Sequence, residues 1–525
     1  MLKKNKVDKY SIDNTDYTVG QDNVQKWGFD VHNPVFGLSA GFIVLFVISL
    51  LCVDPATAKA GLDSIKWSII SHFDSLFMWS GNFFLLFCLF LVFSPFGKIR
   101  IGGKNADPEY STLSWIAMLF AAGMGIGLLF WGVSEPLAYF TGWYETPLGV
   151  EAYSPEAVNI ALGATIYHWG FSAWAMYAIV GLALAIFYYN KGLPLSMRSI
   201  FYPILGDRAW GWFGHCIDIL AVLATIFGLA PSLGLGAQQV TGGINYVFGT
   251  HGAMGMQMVI IVFVTILATI SVIRGIDGGV KVISNINIIA AAALLIFVFF
   301  LNIDISPKYI MAATVGYIDN FLALSNPYGR VDEVWMHGWT VFYWAWWISW
   351  SPFVGMFIAR VSKGRSIREF LLAVIIIPTI VTLVWMGVFG GAAIDQTINK
   401  IGEFGAHGLS NVSLALFELY DSMPFSILLS LLSILLIMVF FVTSADSGSL
   451  VINSITAGGK IETPVPQRIF WAVLEGVLSA ALLYIGGADA LQALQAGVIM
   501  TALPFTIILI IMCFSLLLGL RTEER

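Results

Sequence analysis

The sequence predicts an all-α membrane protein with twelve transmembrane helices, and three observations carry that reading. The composition is 58% hydrophobic and only 11% charged, where a soluble domain carries roughly 25% charged residues. Twelve apolar runs each approach or exceed the ~20 residues that span a bilayer as a helix. Lys and Arg, finally, fall almost entirely on one side of the chain those runs define. Length alone would suggest about three soluble domains, but a chain so poor in charge needs lipid as the solvent for most of its surface.

The runs centre on residues 36–54, 77–97, 112–140, 157–190, 212–240, 256–273, 280–303, 333–361, 367–393, 424–456, 467–487 and 492–520. Several near or above thirty residues imply tilt, kinks or extension beyond the bilayer. With the N-terminus placed in the cytoplasm, 21 of the 26 Lys and Arg lie in cytoplasmic segments, and Lys59, Lys66, Lys308, Arg330 and Lys400 lie outside. That is the positive-inside bias, and a wrong span count would scramble it. The organisation expected is a cytoplasmic tail over 1–34, a twelve-helix domain over 35–520 and a short cytoplasmic C-terminus over 521–525, with no cleavable signal peptide. Residues 307–324, apolar but broken by Lys308, Asp319 and Asn320, suit an amphipathic helix at the external interface, and 60–74 are read the same way.

Glycines mark the third run: Gly123, Gly125 and Gly127 stand within five residues. Each costs about 1 kcal/mol relative to alanine in a helix. They serve either close helix packing or a locally unwound stretch, whose carbonyls hold a cation and whose amides face an anionic group. Unwound backbone is tolerated at that depth only where it lines a cavity.

Tryptophans mark the fourth and eighth runs. On an unbroken helix Trp169, Trp174 and Tyr177 fall within an arc of roughly 140°. Trp344, Trp346, Trp347 and Trp350 follow Tyr343 within a few residues. Membrane tryptophans commonly anchor at the interface, but four in seven residues at mid-span exceed what an anchor requires. Facing rings cage a quaternary ammonium at about 0.5–2 kcal/mol per contact. Such a cage needs no carboxylate, which suits a zwitterion.

The tenth run holds Phe440, Thr443, Ser444 and Asp446. The two hydroxyls either bond back to their own helix or offer oxygen to a small hard cation, and an intramembrane acid is by default functional. Glu135 and Asp218 read as structural groups near span ends, and His168 as a hydrogen-bonded packing residue. Cys52, Cys88, Cys216 and Cys513 have no paired or metal-binding spacing and read as small hydrophobes. No hydrolase elbow, zinc-protease helix or nucleotide loop is present, so no enzyme and no cofactor is expected. No repeated filter sequence supports an ion channel.

Gly123-Met124-Gly125-Ile126-Gly127, then Trp131-Gly132 with Glu135-Pro136, His168-Trp169-Gly170 with Trp174, and the run from Tyr343 to Gly355 resemble the betaine–choline–carnitine transporter family over about residues 30–520. The resemblance implies two inverted five-helix repeats (LeuT-like), about 112–303 and 333–520, behind two leading helices. It also implies a homotrimer in a bacterial inner membrane, moving a compatible solute such as glycine betaine, choline or carnitine by alternating access. Carried over, the substrate box falls on Trp169, Trp174, Tyr177 and Trp347, with Trp346 and Trp350 lining the path. The main sodium site takes carbonyls near Ala121 and Met124 with Phe440, Thr443 and Ser444. A second ion site keeps Thr225 and Phe353, but Leu229 stands where a second threonine is expected. Sodium-independent exchangers of the family place an arginine and a methionine where this chain has Asn287 and Val354. Proton-coupled members tend to place an acid at Gly127. Both comparisons favour sodium as the coupling ion.

Overall fold

A computed structural model describes residues 15–123, 125–274 and 280–523, and among these it is almost entirely helical. In chain order the main helices are α1 (Asn33–Leu51), α2 (Pro55–Phe93), α3 (Thr112–Gly123), α4 (Ile126–Thr141), α5 (Pro155–Trp169), α6 (Phe171–Ala185), α7 (Trp212–Phe248) and α8 (Met254–Arg274). There follow α9 (Val280–Leu301), α10 (Ser306–Ser325), α11 (Phe342–Val361), α12 (Ile367–Ile398), α13 (Ser426–Thr456), α14 (Val465–Gly486) and α15 (Ala490–Leu520). Among the described residues every predicted run is built of helix, with breaks inside 112–140 and 157–190. Among the described residues nine helices are long and apolar enough to cross a membrane unaided, or ten if α9 and α10 count as one bent span. The shortfall from twelve falls on α3 and α4, separated by the glycine run, on α9, and on α11, whose tryptophans and serines lower its hydropathy.

Two interface readings come out differently. Residues 60–74 are not a separate surface helix but the first half of α2, which runs 39 residues without a break. Asp54 starts it by accepting from the Ala56 and Thr57 amides at 3.0 and 3.2 Å, with Pro55 in the first turn, the usual chemistry of a helix start. Residues 306–325 do form their own helix, bent 109° from α9. It packs tightly on α5, where a Cβ added at Gly163 would lie 2.2 Å from the Gly316 carbonyl carbon, so only paired glycines permit the crossing.

The N-terminal segment is an ordered hairpin. Strands β1 (Asn23–Lys26) and β2 (Phe29–His32) pair antiparallel across Trp27-Gly28, both at positive φ as a tight two-residue turn demands. Asp30 pairs with Lys460 at 2.5 Å, and Asn23 donates to the Ala457 carbonyl at 2.9 Å. His32 Nε2 lies 3.0 Å from the buried Arg198 guanidinium and 3.1 Å from His215 Nδ1. Burial, then Arg198 and His215, push His32 from its usual 6.5 down to about 3. A lowered folded value means the neutral ring is what docks. Its stabilisation is complete above pH 6.5 and is lost as pH falls towards 3, by about 2 kcal/mol at pH 5. Amide exchange over residues 15–32, corrected for intrinsic rate, is therefore expected to quicken between pH 7.5 and pH 5. His32→Gln should weaken that pH dependence, His215 remaining beside Arg198, and an unchanged profile in the variant would contradict the assignment.

Candidate functional site

The aromatic residues singled out in the sequence converge at the junction of α5, α6 and α11. The Trp169 and Trp347 rings meet edge to face with centroids 4.9 Å apart. Tyr177 touches both Trp347, at 6.0 Å, and Trp174, at 5.4 Å, and so joins the walls of the box. All four are at least 96% buried, and the Tyr177 hydroxyl has no hydrogen-bond partner. An unpaired buried hydroxyl costs stability, so it is a polar group available to whatever occupies the box. Trp346 stacks on Trp347 at 5.1 Å. Trp346 and Trp350 both donate their indole N–H to the Gly228 carbonyl, at 3.0 and 2.8 Å. Gly228 allows this because α7 approaches α11 so closely there that a Cβ would lie 3.0 Å from Ser349.

The expectation of one unbroken helical arc for Trp169, Trp174 and Tyr177 is corrected by Gly170, which leaves helical geometry (φ −101°, ψ −139°) and separates α5 from α6. The rings still converge, because α11 packs along α6 and supplies Trp347 between them.

Behind the box sits a carboxylate that the sequence reading set aside. Glu135 is fully buried. Its Oε1 accepts from the Tyr139 hydroxyl at 2.9 Å and meets His168 Nδ1 at 3.0 Å. Its Oε2 accepts from the Trp169 indole at 2.7 Å and from the Tyr343 hydroxyl. His168, as expected, is hydrogen-bonded: Nε2 meets Thr340 Oγ1 at 2.9 Å, and its carbonyl accepts from the Trp347 indole at 2.7 Å. The signal was in the sequence, since an acid in an apolar run is rarely idle. Glu135 lies within α4, six residues before its end at Thr141.

The glycine run does interrupt the third span. Gly125 is extended (φ −151°, ψ −132°) and begins α4. A side-chain carbon there would lie 3.8 Å from both the Phe440 ring and Ser444 Oγ, so the break faces α13 where the sequence places an ion site. Ala121 is in the last turn of α3, whose final carbonyls lack helical partners and whose dipole favours a cation. Met124 lies outside the described residues. The Thr443 hydroxyl donates to the Val439 and Phe440 carbonyls, both at 3.1 Å. That is the back-bonded arrangement, and it leaves the oxygen lone pairs free. Gly127 serves contact rather than unwinding: a Cβ there would lie 2.4 Å from the Trp169 ring.

At the second ion position Thr225 bonds back to the Ala221 carbonyl at 2.7 Å, and the Phe353 ring packs edge-on to Trp350 at 5.7 Å. Leu229 is fully buried and fills a notch at Gly448, where a Cβ would lie 2.2 Å from its Cδ1. Apolar carbon thus stands where the resemblance expects a threonine hydroxyl. Asp446 accepts from Ser271 at 3.0 Å. Glu475 on α14, unremarked in the sequence, is buried with both carboxylate oxygens unpartnered among the described residues.

The match to the betaine/carnitine/choline transporter family covers residues 34–525. The chain is 67% identical over 515 residues to a glycine betaine/proline/choline/ectoine transporter of Vibrio parahaemolyticus, covering 98% of this chain and 92% of the relative. It is 66% identical to glycine betaine transporter 1 of the same organism, covering 99% of each, and 41% identical to a glycine betaine transporter of Bacillus subtilis, covering 94% of each. Among solved structures MhsT in complex with L-phenylalanine is a weak likeness, with a TM-score of 0.39 and 14% identity over 78% of this chain and 99% of that one. Family and relatives are transporters, not enzymes, and with the box and the helix break in place the chain belongs to the betaine/carnitine/choline transporter family.

Proposed function

We propose that the chain is a sodium-coupled importer of glycine betaine or a close onium relative, working by alternating access from a box of Trp169, Trp174, Tyr177 and Trp347. The observation that carries this reading is the pairing of two features on adjoining helices. A closed aromatic box on α5, α6 and α11 suits a soft cation. A helix break between α3 and α4, facing Phe440 and Ser444, suits a small hard one. The names of the relatives, which include glycine betaine, proline, choline and ectoine, point to the same solute class.

The proposed architecture is twelve crossings in two inverted repeats behind α1 and α2. Exchanging α3–α4 with α11, α5–α6 with α12, α7 with α13, α8 with α14 and α9 with α15 maps the observed neighbours onto one another. The α4–α12 packing becomes α11–α6, α7–α15 becomes α13–α9, and α7–α13 and α8–α14 map to themselves. Five crossings per repeat is an odd number, so the second copy enters the membrane inverted. The sidedness is supported by pairs such as Lys59–Asp489, Asp74–His337, Asp30–Lys460 and Lys191–Glu523. Each joins segments that the charge count puts on one face, with both termini cytoplasmic. A homotrimer in the bacterial inner membrane completes the proposal.

A single coupling ion is proposed, because Leu229 is wedged against Gly448 at the second position. Asn287, where exchangers carry an arginine, lies against the Leu436 carbonyl of α13 at 3.4 Å and brings no fixed cation to replace sodium. The test is uptake into proteoliposomes of glycine betaine, choline, carnitine, ectoine and proline, each with sodium or potassium outside. Uptake of none of them would refute the reading.

Gly127→Ala is expected to displace the Trp169 ring and weaken solute binding about fivefold or more, as overpacking of a tight contact costs about 1–3 kcal/mol. Tryptophan-fluorescence titration checks it, and unaltered affinity would show that Trp169 is not a wall of the site.

A further inference from the structure

We infer that Glu135 is the counter-charge of the aromatic box, acting on a bound onium head through the Trp169 indole and the Tyr343 phenol that it holds. The inference rests on the box being the solute site.

The contacts around Glu135 fit an ionised carboxylate. Both oxygens act as acceptors: Oε2 takes the Trp169 N–H at 2.7 Å and the Tyr343 O–H, and Oε1 takes the Tyr139 O–H at 2.9 Å and faces His168 Nδ1 at 3.0 Å. An indole nitrogen can only donate, so a protonated Oε2 would face Trp169 with two hydrogens between them. His168 need not carry the compensating charge. Thr340 Oγ1, 2.9 Å from Nε2, has a proton to give that nitrogen, so the neutral ring with hydrogen on Nδ1 satisfies both neighbours, a tautomer assigned from the network. Nor does Arg330 cancel the charge. It stands over the Trp335 ring at 6.0 Å and is held by Asp332 at 2.7 Å. With hydrogen on His168 Nδ1, every neighbour of the two Glu135 oxygens is a donor, and the carboxylate keeps its negative charge in a dry interior, where its field is strong, sealed from the box by aromatic side chains.

The chemical consequence lies in the rings. A cation is drawn to an aromatic face by the negative face of the ring quadrupole. Pulling the N–H of Trp169 and the O–H of Tyr343 onto a carboxylate pushes electron density into both rings, since hydrogen-bonded chains polarise one another in a low dielectric. Tyr343 lies 5.7 Å from both Trp169 and Trp347, so the polarised rings adjoin the box directly. The arrangement selects for positive charge while offering no free carboxylate to compete for sodium or for an ammonium's hydrogen bonds. Glu135 is on this account a positioning and polarising residue for solute recognition rather than a direct contact.

The test compares choline with 3,3-dimethyl-1-butanol, its neutral isostere with carbon in place of nitrogen, by fluorescence titration of purified full-length protein. Glu135→Gln is expected to weaken choline binding about tenfold and to leave the neutral isostere within about twofold. Glu135→Asp, which keeps the charge, should retain more than half of the parent's choline-to-isostere preference. A merely structural role would weaken both ligands alike, and that result, or an unchanged preference in Glu135→Gln, overturns the inference. Should Glu135→Gln fail to give a folded peak on size exclusion, Glu135→Gln combined with Tyr343→Phe, which removes the hydroxyl crowding the amide, carries the same comparison against Tyr343→Phe alone. If the parent binds neither choline nor glycine betaine, the box reading falls with it. If the parent binds and only the charge preference fails to move, this inference falls alone.

Discussion

Trp347→Ala is expected to abolish measurable glycine betaine binding while the protein still purifies as a folded transporter. Trp347 touches Trp169, Tyr177, Trp346 and Trp350 and is tied by its indole N–H to the His168 carbonyl. Losing the ring removes one cation–π face from a desolvated site, about 2 kcal/mol, or some thirtyfold in affinity. It also removes the packing partner that holds Trp169 and Tyr177 in place, which adds to the loss. The change lies within α11 and leaves the crossing at Gly228 intact, so size exclusion and thermal stability should report folded protein. Unchanged affinity in Trp347→Ala combined with Trp174→Ala would place the solute elsewhere.

The second large effect is expected at the helix break. Thr443→Ala with Ser444→Ala should eliminate either sodium dependence or transport altogether. A sodium ion stripped of water at mid-membrane needs several oxygens in its place, and an unpaired charge in low dielectric costs far more than one site can repay. Thr443 already gives its proton to the Val439 and Phe440 carbonyls, so its lone pairs are what the substitution removes. Ser444 faces Gly125 across the break. Glycine betaine affinity measured without sodium should change little in this variant, which separates it from Trp347→Ala.

Much of this was legible before any coordinates, for identifiable reasons. Span positions follow from composition and charge sidedness, which are additive along the chain. The box residues are unusual by type, and neither their number nor their depth suits an interfacial anchor. What failed to show were properties that depend on chain direction at single residues. Gly170 breaks the helix carrying Trp169, so Trp169, Trp174 and Tyr177 come together by the packing of α11 and not along one helical arc. Glu135 stands within α4, which begins only at Ile126, and only the folded chain brings Tyr139, His168, Trp169 and Tyr343 to its two oxygens. Residues 60–74, read as an interface helix between the first two runs, instead continue α2, and Lys59 and Lys66 find their partners in Asp489 and Gln492, more than four hundred residues away. Leu229 was visible as a missing hydroxyl, but its seat in the Gly448 notch, which makes the site apolar rather than merely incomplete, needed the packing of α7 on α13.

Coupling of one sodium ion to onium import is tested by the initial rate of labelled glycine betaine uptake into proteoliposomes against external sodium at fixed solute. A hyperbolic rise from near zero is expected, as for one ion at the α3–α4 break, with no uptake above background when potassium replaces sodium. A clearly sigmoidal curve would contradict the single site. Uptake indifferent to the exchange of sodium for potassium would contradict the coupling itself.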